Sequence, residues 1–235
     1  MHKSAVKVEM LLLVILLSML WLAACTPDGR PGALMTSTQV TPEDILLPKP
    51  QLKGTMSLEE ALAERRSVRE FSDKPLTLEE FSQLLWAAQG ITHPDGYRTA
   101  PSAGALYPLE VYVVTPEGIY HYDPDDHRLR LHNPGDVRPA LHAVALQQDP
   151  VLNAPAVFVI SAVYERTAKK YGKERSLRYV HLEAGHAAQN LLLQAVALKL
   201  GAVPIGAFND GEVKKVLTLP VDQQPLYLIP VGHPE

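Results

Sequence analysis

The pattern of hydrophobic and polar positions opens two helices with the same signal. Ser57-Leu-Glu-Glu60 and Thr77-Leu-Glu-Glu80 each set a hydroxyl three residues ahead of a carboxylate. This is the capping box that pairs two otherwise orphaned N–H groups at a helix start. Helices are therefore predicted from about residues 58 and 78, the second with Leu76 and Phe81 as a hydrophobic staple and Gly90 as a C′ stop. From Leu109 the period changes. Leu109–Thr115, Gly118–Tyr122 and Arg128–His132 are short β-rich runs parted by Pro-Glu-Gly and Asp-Pro-Asp-Asp turns, which predicts a meander. Pro155–Val163 (PAVFVISAV) is almost wholly apolar, as a central strand covered on both faces is. Ser176–Leu200 then carries Leu177, Val180, Ala184, Ala187, Ala188, Leu191, Leu192, Ala195 and Leu198 at helical spacing before Gly201. That is a helix of roughly 35 Å at about 1.5 Å per residue, read as the central helix of the core. Pro225–Gly232 (PLYLIPVG) closes as a strand. Helices and strands mix without regular βαβ alternation, so the fold class is α+β.

The first fifty-five residues follow neither period. Lys3 and Lys7 precede Met10–Ala24, fifteen uncharged residues that end in Leu22-Ala23-Ala24-Cys25. A spanning helix needs about twenty apolar residues, so residues 1–24 read as a signal peptide, with an uncleaved anchor as the other reading. Residues 25–55 shift to Pro, Gly, Thr and Ser and read as a flexible stalk. One domain, residues 56–235, remains. Leu-Ala-Ala-Cys resembles a bacterial lipobox. That resemblance implies that Cys25 is diacylated and holds the chain on the extracytoplasmic side of a bacterial membrane.

Composition narrows the chemistry. The chain has 235 residues, 46% hydrophobic and 20% charged, enough for a core that needs no disulfide framework. Its 22 Lys+Arg against 26 Asp+Glu give a net charge of -4, which argues against a nucleic-acid surface and its basic stripe. A lone cysteine by itself suits a reducing compartment; at the end of an uncharged run, Cys25 instead reads as an acylation site. Three clusters carry candidate chemistry. Arg65-Arg66-Ser67-Val68-Arg69 can grip a phosphate, and also fits a solvated basic helix end. Ser102-Ala103-Gly104 suits close backbone approach to a ligand, or an ordinary loop. Gly201-Ala-Val-Pro204-Ile205-Gly206-Ala207 sets backbone N–H groups in a constrained loop. His181, Glu183 and His186 suggest zinc, but the histidines stand five apart, whereas H-E-x-x-H needs a separation of four, so no metal site is expected.

Taken in order, Arg65-Arg66-Ser67-x-Arg69-x-Phe71, PSAGALYPLEVYVV, EAGHAAQNLLLQAVALKLG, VPIGAF and PLYLIPVG resemble the FMN-dependent nitroreductase family, over about residues 57–233. Within it they are most similar to the SagB-type or azoline dehydrogenase branch. The resemblance implies a homodimer with FMN at the dimer interface, and a mixed, mainly antiparallel sheet packed by helices around the long central helix. It implies that Arg65, Arg66, Ser67 and Arg69 hold the FMN phosphate, ribityl chain and pyrimidine side. Ser102, Ala103 and Gly104 then meet the cofactor from the partner subunit, and Pro204, Ile205, Gly206 and Ala207 face the isoalloxazine. In the azoline-oxidising branch a Lys-Tyr pair acts in substrate deprotonation, and Lys170-Tyr171 stands in the similar place. An exposed lysine beside a packing tyrosine is the other reading of that pair. Many family members carry basic residues past the last strand. Here His233-Pro234-Glu235 follow it, so phosphate binding is expected to rest on the Arg65–Arg69 cluster. The expected function is an FMN-dependent oxidoreductase exchanging hydride with a small organic substrate, with NAD(P)H as a candidate donor. The alternative is a tethered lipoprotein that keeps the fold as a non-catalytic ligand- or partner-binding module.

Overall fold

The computed structural model of the chain describes residues 44–235. The signal segment, Cys25 and the first part of the stalk lie outside these residues. Both capping boxes form. Ser57 Oγ accepts from Glu60 N at 3.1 Å while Glu60 Oε2 accepts from Ser57 N at 2.7 Å, opening α1 (Leu58–Glu64). Thr77 and Glu80 do the same for α2 (Leu78–Gln89), at 3.2 and 2.7 Å. Helix α2 ends at Gly90 with φ -66° and ψ 145°, an extended conformation and not the left-handed one expected of a C′ glycine. Space explains the glycine instead, because a Cβ there would sit 2.2 Å from the Trp86 ring.

The five predicted strands pair, together with two short ones at Ile45–Leu46 and Gly201–Ala202, into one seven-stranded sheet. They are β1 (Ile45–Leu46), β2 (Leu109–Val114), β3 (Gly118–Asp123), β4 (Arg128–Pro134), β5 (Ala156–Ala162), β6 (Gly201–Ala202) and β7 (Gln224–Gly232). Their spatial order is β1-β4-β3-β2-β5-β7-β6. Every neighbouring pair is antiparallel, in keeping with the mainly antiparallel sheet expected, and parallel pairing among the described residues is confined to the Ser67–Ala202 bridge. Alternation along the central strands feeds two cores. Val111, Val113, Phe158, Ile160 and Ile229 face one, while Tyr112, Val114, Val157, Val159 and Leu228 face the other.

The first core is closed by α2 and by α6 (Lys173–Ala197), through Leu84, Leu85, Ala184, Ala187, Ala188 and Leu191. The second is closed by α3 (Arg138–Val144) and α7 (Asp210–Val216), with Val151 of α4 (Asp149–Asn153). Helix α6 thus lies across one sheet face. Its outer side is open, and Leu177, expected in the core, is 53% exposed. Before α6 runs α5 (Tyr164–Tyr171), separated from it by Gly172 at φ 79°. Among the described residues no helix is long and apolar enough to cross a membrane.

Composition assigns residues up to 55 to the stalk, yet residues 44–51 lie on the domain. Ile45 pairs with Leu129, Leu47 is buried, and Asp44 Oδ1 accepts from Leu131 N at 2.9 Å. The Pro48 carbonyl accepts from Ser82 Oγ at 2.6 Å, and Gln83 Oε1 accepts from Gln51 N at 2.8 Å.

Candidate active site

Residues 65–72 leave α1 and run beside β6 and the C-terminal tail. Val68 N donates to the Ala202 carbonyl at 3.0 Å, and Ser72 N to His233 at 2.9 Å. Gly201 makes room for this, since a Cβ there would lie 2.6 Å from Val68 Cγ1. The cluster then divides. Arg66 folds its Nη1 back onto the carbonyls of Ala63 and Arg65, both at 2.8 Å, and so caps the helix end. The side chains of Arg65, Ser67 and Arg69 form no hydrogen bond or ion pair among the described residues. Arg69 lines a cavity of about 940 Å³ whose other wall includes Pro204 and Ile205, a size within the usual range for small-molecule sites. Glu70, Asp73 and Glu235 also reach this cavity.

The loop 204–207 is held at both ends. Ile205 exchanges hydrogen bonds with Leu228 of β7 at 2.8 and 3.0 Å, and the Ala207 carbonyl accepts from Gln148 Nε2 at 2.8 Å. Between these ties Gly206 and Ala207 are exposed. The position a Cβ would take at Gly206 has only Tyr227 nearby, at 4.0 Å. Leu146 and Gln147, beside the same cavity, have φ of 57° and 56°. Such left-handed non-glycine residues gather where a fold holds strain for a site.

A second group lies around the turn 102–107. Gly104 has φ 66°, Ala105 53° and Tyr107 45°. A Cβ on Gly104 would come within 2.8 Å of both the Lys170 Nζ and the Tyr171 hydroxyl, so the turn and the Lys-Tyr pair at the end of α5 are in contact. Lys170 is exposed and its Nζ lies 5.5 Å from the Tyr171 ring centroid. The turn is fixed in part by Arg98, Arg166 and Glu110, which sequence reading did not single out as site residues. Tyr107 N donates to Ser102 Oγ at 2.9 Å, the Tyr107 hydroxyl accepts from Arg98 N at 3.1 Å, and the Arg98 guanidinium lies 4.6 Å from the Tyr107 ring centroid. Arg166 Nη1 holds the Tyr107 carbonyl at 3.0 Å and is itself paired with Glu110. Glu110 is drawn two ways: burial raises its pKa, but the hydrogen bond from His121 and the charge of Arg166 leave it below the usual carboxylate range.

Behind Ser102, Glu183 is 2% exposed, and burial pushes its carboxyl up to about 7 against the partial relief given by Ser102 and Arg98. Its helix neighbours His181 and His186 are exposed, and His181 bonds the Tyr164 hydroxyl at 2.7 Å, so the three point apart. No hydrogen bond, ion pair or shared cavity joins the Arg69–Ile205 group to the Ser102–Tyr171 group among the described residues.

Comparisons with known proteins bear on the family and the fold. The Nitroreductase family model matches residues 62–233. The chain is 46% identical over 184 residues to the nitroreductase-family protein MJ1384 of Methanocaldococcus jannaschii, covering 76% of this chain and 91% of that protein. It is 24% identical over 209 residues to the trifolitoxin operon protein TfxC of Rhizobium leguminosarum bv. trifolii, covering 80% of this chain and 58% of TfxC. A crystal structure of a nitroreductase-type protein from Ralstonia eutropha superposes with TM-score 0.76 at 31% identity, over 83% of this chain and 91% of its own.

Proposed function

The chain belongs to the nitroreductase family of oxidoreductases, and from that premise we propose that it binds FMN in the Arg69–Ile205 cavity and acts on a small organic substrate beside Lys170 and Tyr171. The observation that carries the reading is the Arg69 guanidinium, unpaired among the described residues, in one cavity with Pro204 and Ile205, the residues that lead into the exposed Gly206. The donor set fits FMN. Arg65, Ser67 and Arg69 offer donors with no partner among the described residues, suited to a phosphate, and the uncrowded Gly206 lets a planar ring approach the backbone. When bound, FMN supplies two-electron hydride chemistry. Arg65 and Arg69 would hold its phosphate, and the backbone N–H groups of Gly206 and Ala207 would be available to its ring. Arg66, tied into the helix cap, contributes charge from a distance.

The second group serves the substrate. Lys170 is solvent-accessible, touches the turn through Gly104, and has the Tyr171 hydroxyl beside it, an arrangement suited to taking a carbon-bound proton. Similarity to a trifolitoxin operon protein supports placing the chain near the SagB-type branch, and a dehydrogenase direction is part of this proposal. Because the two groups are separate within one chain, a homodimer is part of this proposal, with Ser102–Gly104 of one copy facing the cavity of the other. Exposed Leu58 and Leu62 on one side of α1 favour it, since exposed apolar patches mark contact surfaces. Acylation at Cys25 and NAD(P)H as donor belong to the same proposal. Loss of metabolic palmitate label in Cys25→Ser tests the first.

The visible spectrum of the purified full-length chain tests the core of the reading. Retained FMN is expected. A colourless protein that does not hold added FMN sinks it and leaves the fold as a binding module. Replacing Lys170 and Tyr171 is expected to abolish azoline oxidation while barely changing NAD(P)H-driven reduction of a nitro compound or quinone.

A further inference from the structure

The Lys-Tyr pair ends α5, so whatever holds α5 against the turn 102–107 sets where the pair stands. Val163, which precedes α5, donates its N–H to the Pro108 carbonyl at 2.8 Å, and Arg166 Nη1 donates to the Tyr107 carbonyl at 3.0 Å. Lys170 meets the turn at Gly104. Residues 163, 166 and 170, three and four apart on one side of the helix, thus face residues 108, 107 and 104 in turn. Among the described residues, Arg166 Nη1 is the one group of α5 itself that hydrogen-bonds to the turn. The same guanidinium donates through Nη2 to Glu110 Oε1 on β2, and Glu110 Oε2 accepts from His121 Nε2 on β3 at 2.7 Å. Both oxygens of this carboxylate are engaged, and its side chain is only 14% exposed. The remaining ties of Tyr107 are of another kind. Its N–H goes to Ser102 and its hydroxyl accepts from Arg98 N, so both lie within residues 98–107 and move with the turn.

We propose that Arg166, aimed by Glu110, is a positioning residue for Lys170: its grip on the Tyr107 carbonyl fixes the register of α5 on the turn, and so the place of Lys170 Nζ and the Tyr171 hydroxyl over Gly104. A guanidinium is planar and carries its donors in a fixed fork. With Nη2 committed to a carboxylate that β2 and His121 hold, the direction of Nη1 is set, and the Tyr107 carbonyl lies along it. Tyr107 has φ 45°, a left-handed conformation that a non-glycine residue keeps only where its surroundings over-determine it. Released from Arg166, its carbonyl can turn, and Gly104, three residues back, parts from Lys170. Stability is a weak reason for the ion pair, because Arg166 is partly exposed and such pairs contribute little. That Lys170 takes a carbon-bound proton rests on the function proposed for the Lys-Tyr pair; the register of α5 on the turn does not.

Reductive carbon-13 methylation of the lysines in the full-length apo chain reads the register by NMR, with Lys170→Arg assigning the Lys170 signal. That signal is expected to move in Arg166→Gln and in Glu110→Gln; near-UV circular dichroism checks that each variant is folded. A Lys170 signal indifferent to either variant overturns the proposal. Steady-state kinetics of the flavin-loaded chain supply the second readout. Misplacing a reacting group costs on the order of 10- to 100-fold in rate. Arg166→Gln is therefore expected to lower kcat for azoline oxidation at least about tenfold more than it lowers NAD(P)H-driven nitro reduction, with KM for the azoline little changed. Equal losses in the two reactions would mean a merely structural role and also overturn it. If the parent oxidises no azoline while the Lys170 signal moves, the proton-taking role falls and the inference about Arg166 and the register stands.

Discussion

Three guanidiniums within five residues have different tasks, set by what each can reach. Arg66 reaches two carbonyls of its own helix end, while the side chains of Arg65 and Arg69 have no hydrogen-bond partner among the described residues. Arg69→Ala is therefore expected to leave the thermal unfolding midpoint unchanged and to weaken FMN binding about tenfold or more, since a hydrogen bond to a charged group contributes about 1.5–3 kcal/mol. Arg66→Ala should do the reverse, costing less than about 1 kcal/mol of stability at an exposed helix end with little change in affinity. Calorimetric titration and thermal melts on both variants separate the roles. Glu183 gives a pH prediction with a definite sign. Burial holds its folded pKa at about 7, above the ordinary glutamate value of 4.5, so between these values the native state holds more protons and stability falls as pH rises. Glu183→Gln removes that fall. It should match the parent near about pH 4.5 and exceed it by on the order of 2–3 kcal/mol above about pH 7.5 in urea unfolding. Neither Glu183 nor Arg98 was legible as a site residue. Arg98 meets Tyr107 and Glu183 is buried only through the way the chain packs, and no local spacing marks either.

At the scale of elements, what was legible was local. A capping box is a contact between residues three apart, so Ser57 and Thr77 announced α1 and α2 before any packing was known. Thr77→Ala is expected to cost about 1 kcal/mol. Gly90→Ala should cost more, on the order of 2–3 kcal/mol, because the Trp86 ring at 2.2 Å must be displaced. Chemical denaturation of the two variants ranks them. The short helices were harder to see. Arg138-Pro139 and Asp149-Pro150 place proline in the first turn of α3 and α4, a start signal that was available and passed over. Strand β1 carries no such signal. Two residues become a strand only because β4 offers them an edge, and a proline-rich composition concealed it within the stalk.

At the scale of the whole molecule, the two groups of site residues stand apart in one chain, and the exposed leucines of α1 mark where a second copy is expected. Leu58→Asp with Leu62→Asp should turn a dimer into a monomer in sedimentation velocity and lower FMN retention, while each monomer still folds, because both side chains are already more than half exposed. A dimer that persists with its flavin would place the interface elsewhere. By itself the sequence determined the element types, the strand-rich centre, the two capped helices and the five ordered motifs, because each rests on contacts between near neighbours or on composition. Only the tertiary structure decided the antiparallel sheet order, the docking of residues 44–51, the meeting of Gly104 with Lys170 and Tyr171, and the burial of Glu183 behind Ser102. Those are meetings between residues dozens of positions apart, fixed by which faces the two cores bury, and periodicity along a chain has no means of expressing them.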